Sequence, residues 1–290
     1  MNIRTGFTGN PLDRADHLRR DPDALHMARL HPGARYLVLD NLRPLLTTDR
    51  ADLYWARRSE IGEGQVVLLG LDDDGAPRFA VDGKVGDLPG LPTDARTVGS
   101  MMDDGRAAIV AHARSLLDWH RRHGFCAVCG APTLLTRGGY ARSCESCGAE
   151  HFPRVDPVVI MLAEKDGKAL IGRQSGFPPG FYSALAGFVE AGESLEEAVS
   201  RELWEEAGIR TYSVRYVASQ PWPFPSSLMI GAIATSESFD LKLDETEIEA
   251  ARWISRAEAL AALQGEGDWL APPPLAIAHS LLSAWAREQI

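Results

Sequence analysis

Residues Gly187 to Ile209 read G-F-V-E-A-G-E-S-L-E-E-A-V-S-R-E-L-W-E-E-A-G-I. Within this stretch Glu202, Glu205 and Glu206 stand at relative positions 0, 3 and 4. On a helix of about 3.6 residues per turn they share one face. Three anions that close repel one another and weaken the helix, so packing explains them poorly. A cluster of hard oxygen ligands aimed at one spot is what divalent magnesium or manganese requires. The helix itself is well specified. Ser194 and Glu197 have the spacing of a capping box, and Gly208 stands where a left-handed cap would end it. Leu195, Ala198, Val199 and Leu203 form an apolar stripe beside the acidic face. Arg201 can pair with Glu205, four residues on, and orient it. Gly187 and Gly192 mark an irregular loop feeding the helix.

The whole pattern is G-x5-E-x7-R-E-U-x-E-E-x-G-U, with U aliphatic, and every fixed position is filled. In this the chain resembles the Nudix hydrolases. The resemblance implies a mixed sheet between helices and metal-dependent attack of water on a diphosphate. Glu202, Glu205 and Glu206 match the family's metal-ligand and base positions. Glu193 matches an orienting partner.

The 290 residues suggest about two domains with ample core material, 45% being hydrophobic and 24% charged. A formal charge of −10 argues against broad nonspecific binding to nucleic acid. An anionic diphosphate must therefore be met by metal ions or a few placed Arg and Lys. The opening MNIRTGFTGN has no apolar stretch, and no run approaches the ~20 residues of a membrane span. The expectation is a cytoplasmic protein without membrane contact.

All four cysteines fall in one short segment, Cys126, Cys129, Cys144 and Cys147, spaced C-x2-C-x14-C-x2-C. Two facing CxxC knuckles supply four thiolates to one structural zinc ion, a closed site that does not activate water. Gly130 and Gly148 follow the pairs and ease the knuckle turns. His120, His123 and His151 are surplus as ligands and read as surface or packing residues.

Before the ribbon, strand-like runs at Tyr36–Leu39 and Gln65–Leu69 are separated by turn signals such as Asp72-Asp73-Asp74-Gly75. No catalytic motif is visible there. A helix is expected over 105–123, burying Ile109, Val110, Ala113, Leu116 and Leu117. After the ribbon, runs at 158–163 and 169–172 flank Lys165-Asp166-Gly167-Lys168, the pattern of a hairpin. Pro272-Pro273-Pro274 precede a last helix carrying Ile277, Leu281, Leu282 and Trp285.

Downstream lies Ser219-Gln220-Pro221-Trp222-Pro223-Phe224-Pro225-Ser226-Ser227. Alternate prolines fix their own φ and restrain the residue before each to extended geometry. With a two-residue period, Gln220, Trp222, Phe224 and Ser226 would face one side as a stiff aromatic wall. Such a wall loses little entropy on binding and suits a nucleobase or a nicotinamide ring.

This segment after the acidic helix, with a four-cysteine ribbon before it, is similar to the NADH pyrophosphatase (NudC-type) subfamily. The likeness is strong over residues 105 to 290. It implies an α+β or α/β fold: an N-terminal mixed, NADH-pyrophosphatase-like domain (1–104), a linking helix (105–124), the four-cysteine zinc ribbon (125–154) and a Nudix domain (155–290). It implies hydrolysis of NAD(H) to AMP and nicotinamide mononucleotide, removal of NAD caps from RNA, and a homodimer whose chains both shape the pocket. Carried over by motif, two or three magnesium or manganese ions would be held by Glu202, Glu205, Glu206, Glu247 and the carbonyl of Ala186. Glu205 or Glu206 would be the base. Gln220, Pro221, Trp222, Pro223, Phe224, Pro225, Ser226 and Ser227 would line the substrate pocket. Phe188 would stack on a ring, Phe152 would reach the partner's pocket, and Ala278 would contact substrate through its backbone. Two departures stand out. Members of the family carry tyrosine where this chain has Phe152, and some carry an acidic residue where Gly139 stands.

Two rivals remain at this stage. One is a Nudix enzyme for ADP-ribose or a dinucleoside polyphosphate, against which the aromatic wall speaks. The other is a zinc-ribbon protein that binds a nucleotide or RNA without turnover. For that reading Arg137, Arg142 and Arg154 make a thin basic footprint.

Overall fold

The computed structural model describes residues 3–102 and 104–288. They fall into two units: residues 7–155 with Trp222–Ser226, and residues 3–6, 156–221 and 227–288.

In the first unit, α1 (Asp16–Arg20) and α2 (Pro22–Leu30) precede β1 (Arg35–Asp40), β2 (Arg43–Leu46), β3 (Trp55–Ala56), β4 (Val66–Leu71), β5 (Pro77–Asp82) and β6 (Leu91–Pro92). The sheet runs β4-β5-β1-β2-β6, with β3 also beside β1 and with β1 and β5 parallel. Tyr36, Leu37, Val38 and Leu39 are all buried, as a central strand covered on both faces requires. α3 (Ala95–Met101) and α4 (Arg106–Arg122) follow. The five expected stripe residues of α4 are buried, but so are His112, Asp118, Trp119 and His120. Burial on more than one face is invisible to a single-stripe reading. The ribbon is a three-stranded antiparallel sheet of β7 (Leu134–Thr136), β8 (Ala141–Ser143) and β9 (Glu150–His151).

The second unit is built on β10 (Asp156–Lys165), which pairs antiparallel with β11 (Lys168–Arg173) and β12 (Leu185–Phe188). The hairpin turns at Asp166 and Gly167, with φ of 46° and 76°. Two successive positive φ values are what a tight Asp-Gly turn supplies. After α5 (Leu195–Ala207) come β13 (Thr211–Trp222), β14 (Ser227–Ser236), β15 (Ala250–Ser255), α6 (Arg256–Leu263) and α7 (Ile277–Ala286). The order β13-β14-β10-β11-β15, with β10 and β14 parallel, makes a mixed sheet. Alternate residues of β10 go to opposite cores. Val159, Met161 and Ala163 pack with Ala198, Val199, Leu203 and Ala207 of α5. Ile160 and Leu162 pack with Ala259 and Ala262 of α6 and Leu281, Leu282 and Trp285 of α7. The sheet is thus sandwiched between helices, the expected fold class. No helix among the described residues is long and apolar enough to cross a membrane.

α5 begins and ends where its caps dictate. Ser194 and Glu197 form the reciprocal capping box, and Gly208 closes the helix at φ 69°. Leu195 departs from the expected stripe: it is 37% exposed. As the first helical residue it sits beyond the sheet that buries Ala198 and Leu203.

Candidate active site

Arg201 organises the acidic face. Its Nε and Nη2 donate to the two carboxylate oxygens of Glu193 at 2.6 and 2.9 Å. Its Nη1 donates to Glu202 at 2.8 Å and to Glu205 at 2.9 Å. Nη2 also reaches the backbone carbonyl of Phe188 at 2.9 Å. One planar guanidinium thereby fixes three carboxylates and the end of β12, a use of its fork that lysine could not copy. The expected Arg201–Glu205 pair is one contact of several, and the two-point grip on Glu193 is stronger. It draws the Glu193 carboxyl down to about 2, helped by the backbone N–H of Glu190.

Glu202 and Glu206 point inward and are buried, whereas Glu205 and Glu247 are exposed. Burial raises the proton affinity of Glu202, partly offset by Arg201, while Glu205 and Glu247 repel its charge. Glu206 has no such relief. Burial, then the charges of Glu202, Glu247 and Glu205, push its carboxyl up to about 8, and its Oε2 is buried without a hydrogen-bond partner. Glu247, on the loop before β15, therefore belongs electrostatically with the helix glutamates. That loop is tied to the helix end, Asp244 N–H donating to Glu206 O at 3.0 Å and Glu247 N–H to Asp244 O at 3.0 Å. A cavity of about 480 Å³ opens beside Glu205, walled by Trp204, Leu241 and Lys242.

Ala186 and Phe188 lie on β12, opposite Ile160 and Val158 of β10. Phe188 is 61% exposed, its ring free to meet a ligand. Ala278 is buried in the first turn of α7, where backbone N–H groups have no partner within the helix.

The proline-rich segment departs from the expected wall. Strand geometry holds through Trp222 and gives way to a turn over 223–226, in which Phe224 N–H bonds Trp222 O at 2.8 Å. Gln220 is a correction: it is fully buried, and its amide is spent inside the protein. Its Nε2 donates to Gly6 O at 3.1 Å and Leu275 O at 2.7 Å, and its Oε1 accepts from Ile277 N–H at 2.8 Å. With both donors used, it braces the start of α7, and a ligand finds no side-chain donor there. Pro221 and Pro225 are exposed, Pro223 is buried, and Ser226 and Ser227 are half-buried, Ser227 opposite Asp156 at the start of β14. Trp222 and Phe224 pack edge to face at 5.2 Å and both meet the ring of Phe7. Arg96 and Arg114 lie over Phe224 at 3.8 and 4.9 Å, a cationic surround that the motif alone does not reveal.

Phe152, 56% exposed, lies under the Arg137 guanidinium at 5.7 Å. It lines a cavity of about 560 Å³ with Arg19, Arg20 and Tyr140. Gly139 explains its own departure from the family. With φ +102°, a Cβ there would lie 2.5 Å from Val67, so no acidic side chain fits.

The four cysteines converge. Cys126 and Cys147 sulfurs are 3.6 Å apart, Cys129 and Cys144 3.5 Å. These spacings are far beyond a disulfide's ~2.05 Å. They approach the ~3.8 Å edge of a tetrahedron with Zn–S bonds of about 2.3 Å. Among the described residues, theirs is the one group of three or more such ligands lying within 4.8 Å of one another. It is the structural zinc site expected. His120 is the packing residue anticipated, buried between Gly139 O at 2.8 Å and Arg142 at 3.0 Å. His151 is surplus as a ligand, as expected, but its Nε2 lies 3.2 Å from Cys126 Sγ, a hydrogen-bond contact the sequence did not reveal.

Family models match three consecutive stretches: a NADH pyrophosphatase-like rudimentary NUDIX domain (33–119), a NADH pyrophosphatase zinc ribbon domain (121–152) and a NUDIX domain (153–272). NAD-capped RNA hydrolase NudC of Mycobacterium bovis (strain BCG / Pasteur 1173P2) is 39% identical, covering 94% of this chain and 92% of its own. The chain belongs to the NADH pyrophosphatase (NudC-type) subfamily of the Nudix hydrolases.

NAD-capped RNA hydrolase NUDT12 of Homo sapiens is 48% identical over 198 residues, 64% of this Nudix chain and 43% of the human one. The match thus spans less than half of that relative's length. A NUDIX hydrolase structure from Nitrosomonas europaea is similar over 57% of this chain at a TM-score of 0.47 and 22% identity. A Nudix site implies divalent metal, and the donor set suits one in its chemistry: Glu202, Glu247 and Glu205 repel the charge of Glu206, whose Oε2 is buried and unpartnered, although no three of these carboxylates gather within 4.8 Å as the cysteine sulfurs do. The N-terminal match agrees with an NADH-pyrophosphatase-like domain there, but its rudimentary Nudix character has no signal in the sequence, since α4 carries no acidic cluster, Asp118 being its one carboxylate.

Proposed function

We propose that this protein hydrolyses the diphosphate of NAD(H), free or as the 5′ cap of an RNA, to AMP and nicotinamide mononucleotide, the RNA end remaining on the adenylate. The observation that carries this reading is the carboxylate face of Glu202, Glu205, Glu206 and Glu247, whose mutual repulsion around the buried, unpartnered Oε2 of Glu206 a divalent cation would relieve. Similarity to NAD-capped RNA hydrolases along nearly the whole chain supports the substrate.

Glu202, Glu205, Glu206, Glu247 and the carbonyl of Ala186 would hold two or three magnesium or manganese ions. Bound there, the ions supply Lewis-acid activation of water and charge neutralisation of the diphosphate. Arg201 keeps Glu202 and Glu205 aimed from the helix. Glu205 or Glu206, adjacent at the helix end, takes the proton of the attacking water. Phe188 offers a ring face to one base. Trp222 and Phe224, with Pro221, Pro223, Pro225, Ser226 and Ser227, shape the substrate pocket. Ala278 contributes through its backbone.

Residues 1–104 would form the N-terminal domain, 105–124 the linking helix, 125–154 the ribbon and 155–290 the Nudix domain. The protein would be a cytoplasmic homodimer in which Phe152 reaches the partner's pocket. Hydrolysis of NADH in oxygen-18 water with magnesium tests the reaction. One mononucleotide should carry a single label, and absence of both products contradicts the proposal.

A further inference from the structure

We infer that His151 is a positioning residue that ties the zinc knuckle to the segment bearing Phe152. Its Nε2 lies 3.2 Å from Cys126 Sγ. A zinc-bound thiolate has no proton and can only accept, so Nε2 carries the hydrogen and donates it to sulfur. Four thiolates around one Zn²⁺ leave a net charge of −2. The His151 N–H and the Val128 N–H, 3.4 Å from the same sulfur, spread part of that charge. Such donors orient a metal ligand and strengthen its hold.

The strand that carries His151 needs the anchor. β9 is two residues long and joins β8 through two pairs only, His151 with Arg142 and Glu150 with Ser143. Arg142 is itself held by several contacts: buried, it donates to Thr133 Oγ1 and Thr133 O, each at 2.7 Å, and contacts His120. The imidazole adds a link from β9 to the first knuckle, 25 residues earlier in the chain. In an extended chain successive side chains face opposite ways. With His151 turned to the sulfur, Phe152 is turned out, where it is 56% exposed under Arg137. The zinc centre thereby sets the direction of the Phe152 ring. This last link rests on the reading that Phe152 contacts substrate.

The test uses the full-length, zinc-loaded protein at fixed neutral pH and follows zinc transfer to a chromogenic chelator. His151→Ala and His151→Phe, which both lack the donor, should release zinc ~10–100-fold faster than wild type. His151→Gln, whose amide N–H can reach the same sulfur, should stay close to wild type. His151→Phe keeps a ring, so its result separates the hydrogen bond from packing. Release at the wild-type rate in His151→Phe overturns the inference. So does a zinc–nitrogen bond in the wild-type X-ray absorption spectrum, which would make His151 a ligand. In NADH hydrolysis, His151→Phe should raise KM several-fold with kcat retained. An unchanged KM overturns the link to Phe152. A wild-type protein inactive on NADH overturns the proposed function and leaves the zinc-release comparison decisive.

Discussion

A methyl group on Gly187 would sit 1.9 Å from the carboxyl carbon of Glu202. The buried glutamate is packed against bare backbone at the end of β12, and only glycine leaves that space. Gly187→Ala must therefore push the Glu202 carboxylate away from its place beside Arg201. NADH hydrolysis should fall at least ~100-fold, because a shift of about 1 Å in a catalytic group has that effect. Circular dichroism should show the fold retained. Activity within a few-fold of wild type would mean that Glu202 tolerates the displacement.

Glu206 is costly as a buried, repelled carboxyl whose Oε2 has no hydrogen-bond partner, and a metal ion would relieve that cost. Glu206→Gln should lower turnover by orders of magnitude while raising the metal-free melting temperature by a few degrees. Magnesium or manganese should stabilise the wild type through preferential binding to the folded state, and the variant much less. Thermal melts with and without each ion check both parts. Equal metal-induced shifts would remove Glu206 from the ligand set.

Arg201→Lys should be nearly as damaging as removal of the side chain. A single ammonium cannot grip Glu193 at two oxygens while also reaching Glu202, Glu205 and Phe188 O. A drop in kcat of ~10-fold or more is expected. Steady-state kinetics at saturating metal measure it.

Acid should destabilise the first unit through His112. Burial, then the charges of Arg14 and Arg19, hold its imidazole down to about 3 from the ordinary 6.5. Between those values the unfolded chain binds a proton that the folded chain refuses. The stability tied to a neutral His112 is thus fully present above pH 6.5. It is lost as pH falls toward 3, at about 1.4 kcal/mol per pH unit. His112→Gln should remove one proton from the pH dependence of urea unfolding over that window. An unchanged slope would show that His112 titrates normally.

Local signals were readable from the chain, and distant ones were not. Ser194, Glu197 and Gly208 specify α5 by rules that act within one turn, and the structure follows them. Asp166 and Gly167 do the same for the hairpin. The four cysteines announce zinc because two short spacings suffice. Gln220 was misread because its partners Gly6 and Leu275 lie 214 and 55 residues away. A proline-flanked glutamine carries no mark of such burial. His151 was set aside as surplus because ligand counting sees four sulfurs and stops, whereas the donor to a ligand is visible only in space. Arg96 and Arg114 reach Phe224 from helices whose sequence shows ordinary surface arginines.

The proposed function joins hydrolysis by the Nudix glutamates to selection of NAD(H) by the aromatic segment at Trp222 and Phe224. The direct measurement compares kcat/KM for NADH, ADP-ribose and a dinucleoside polyphosphate under the same magnesium or manganese concentration, with products resolved chromatographically. NADH should be cleaved to AMP and nicotinamide mononucleotide at least ~10-fold more efficiently than either alternative. Faster cleavage of ADP-ribose or the polyphosphate, or binding of NADH without AMP over hours, would contradict it.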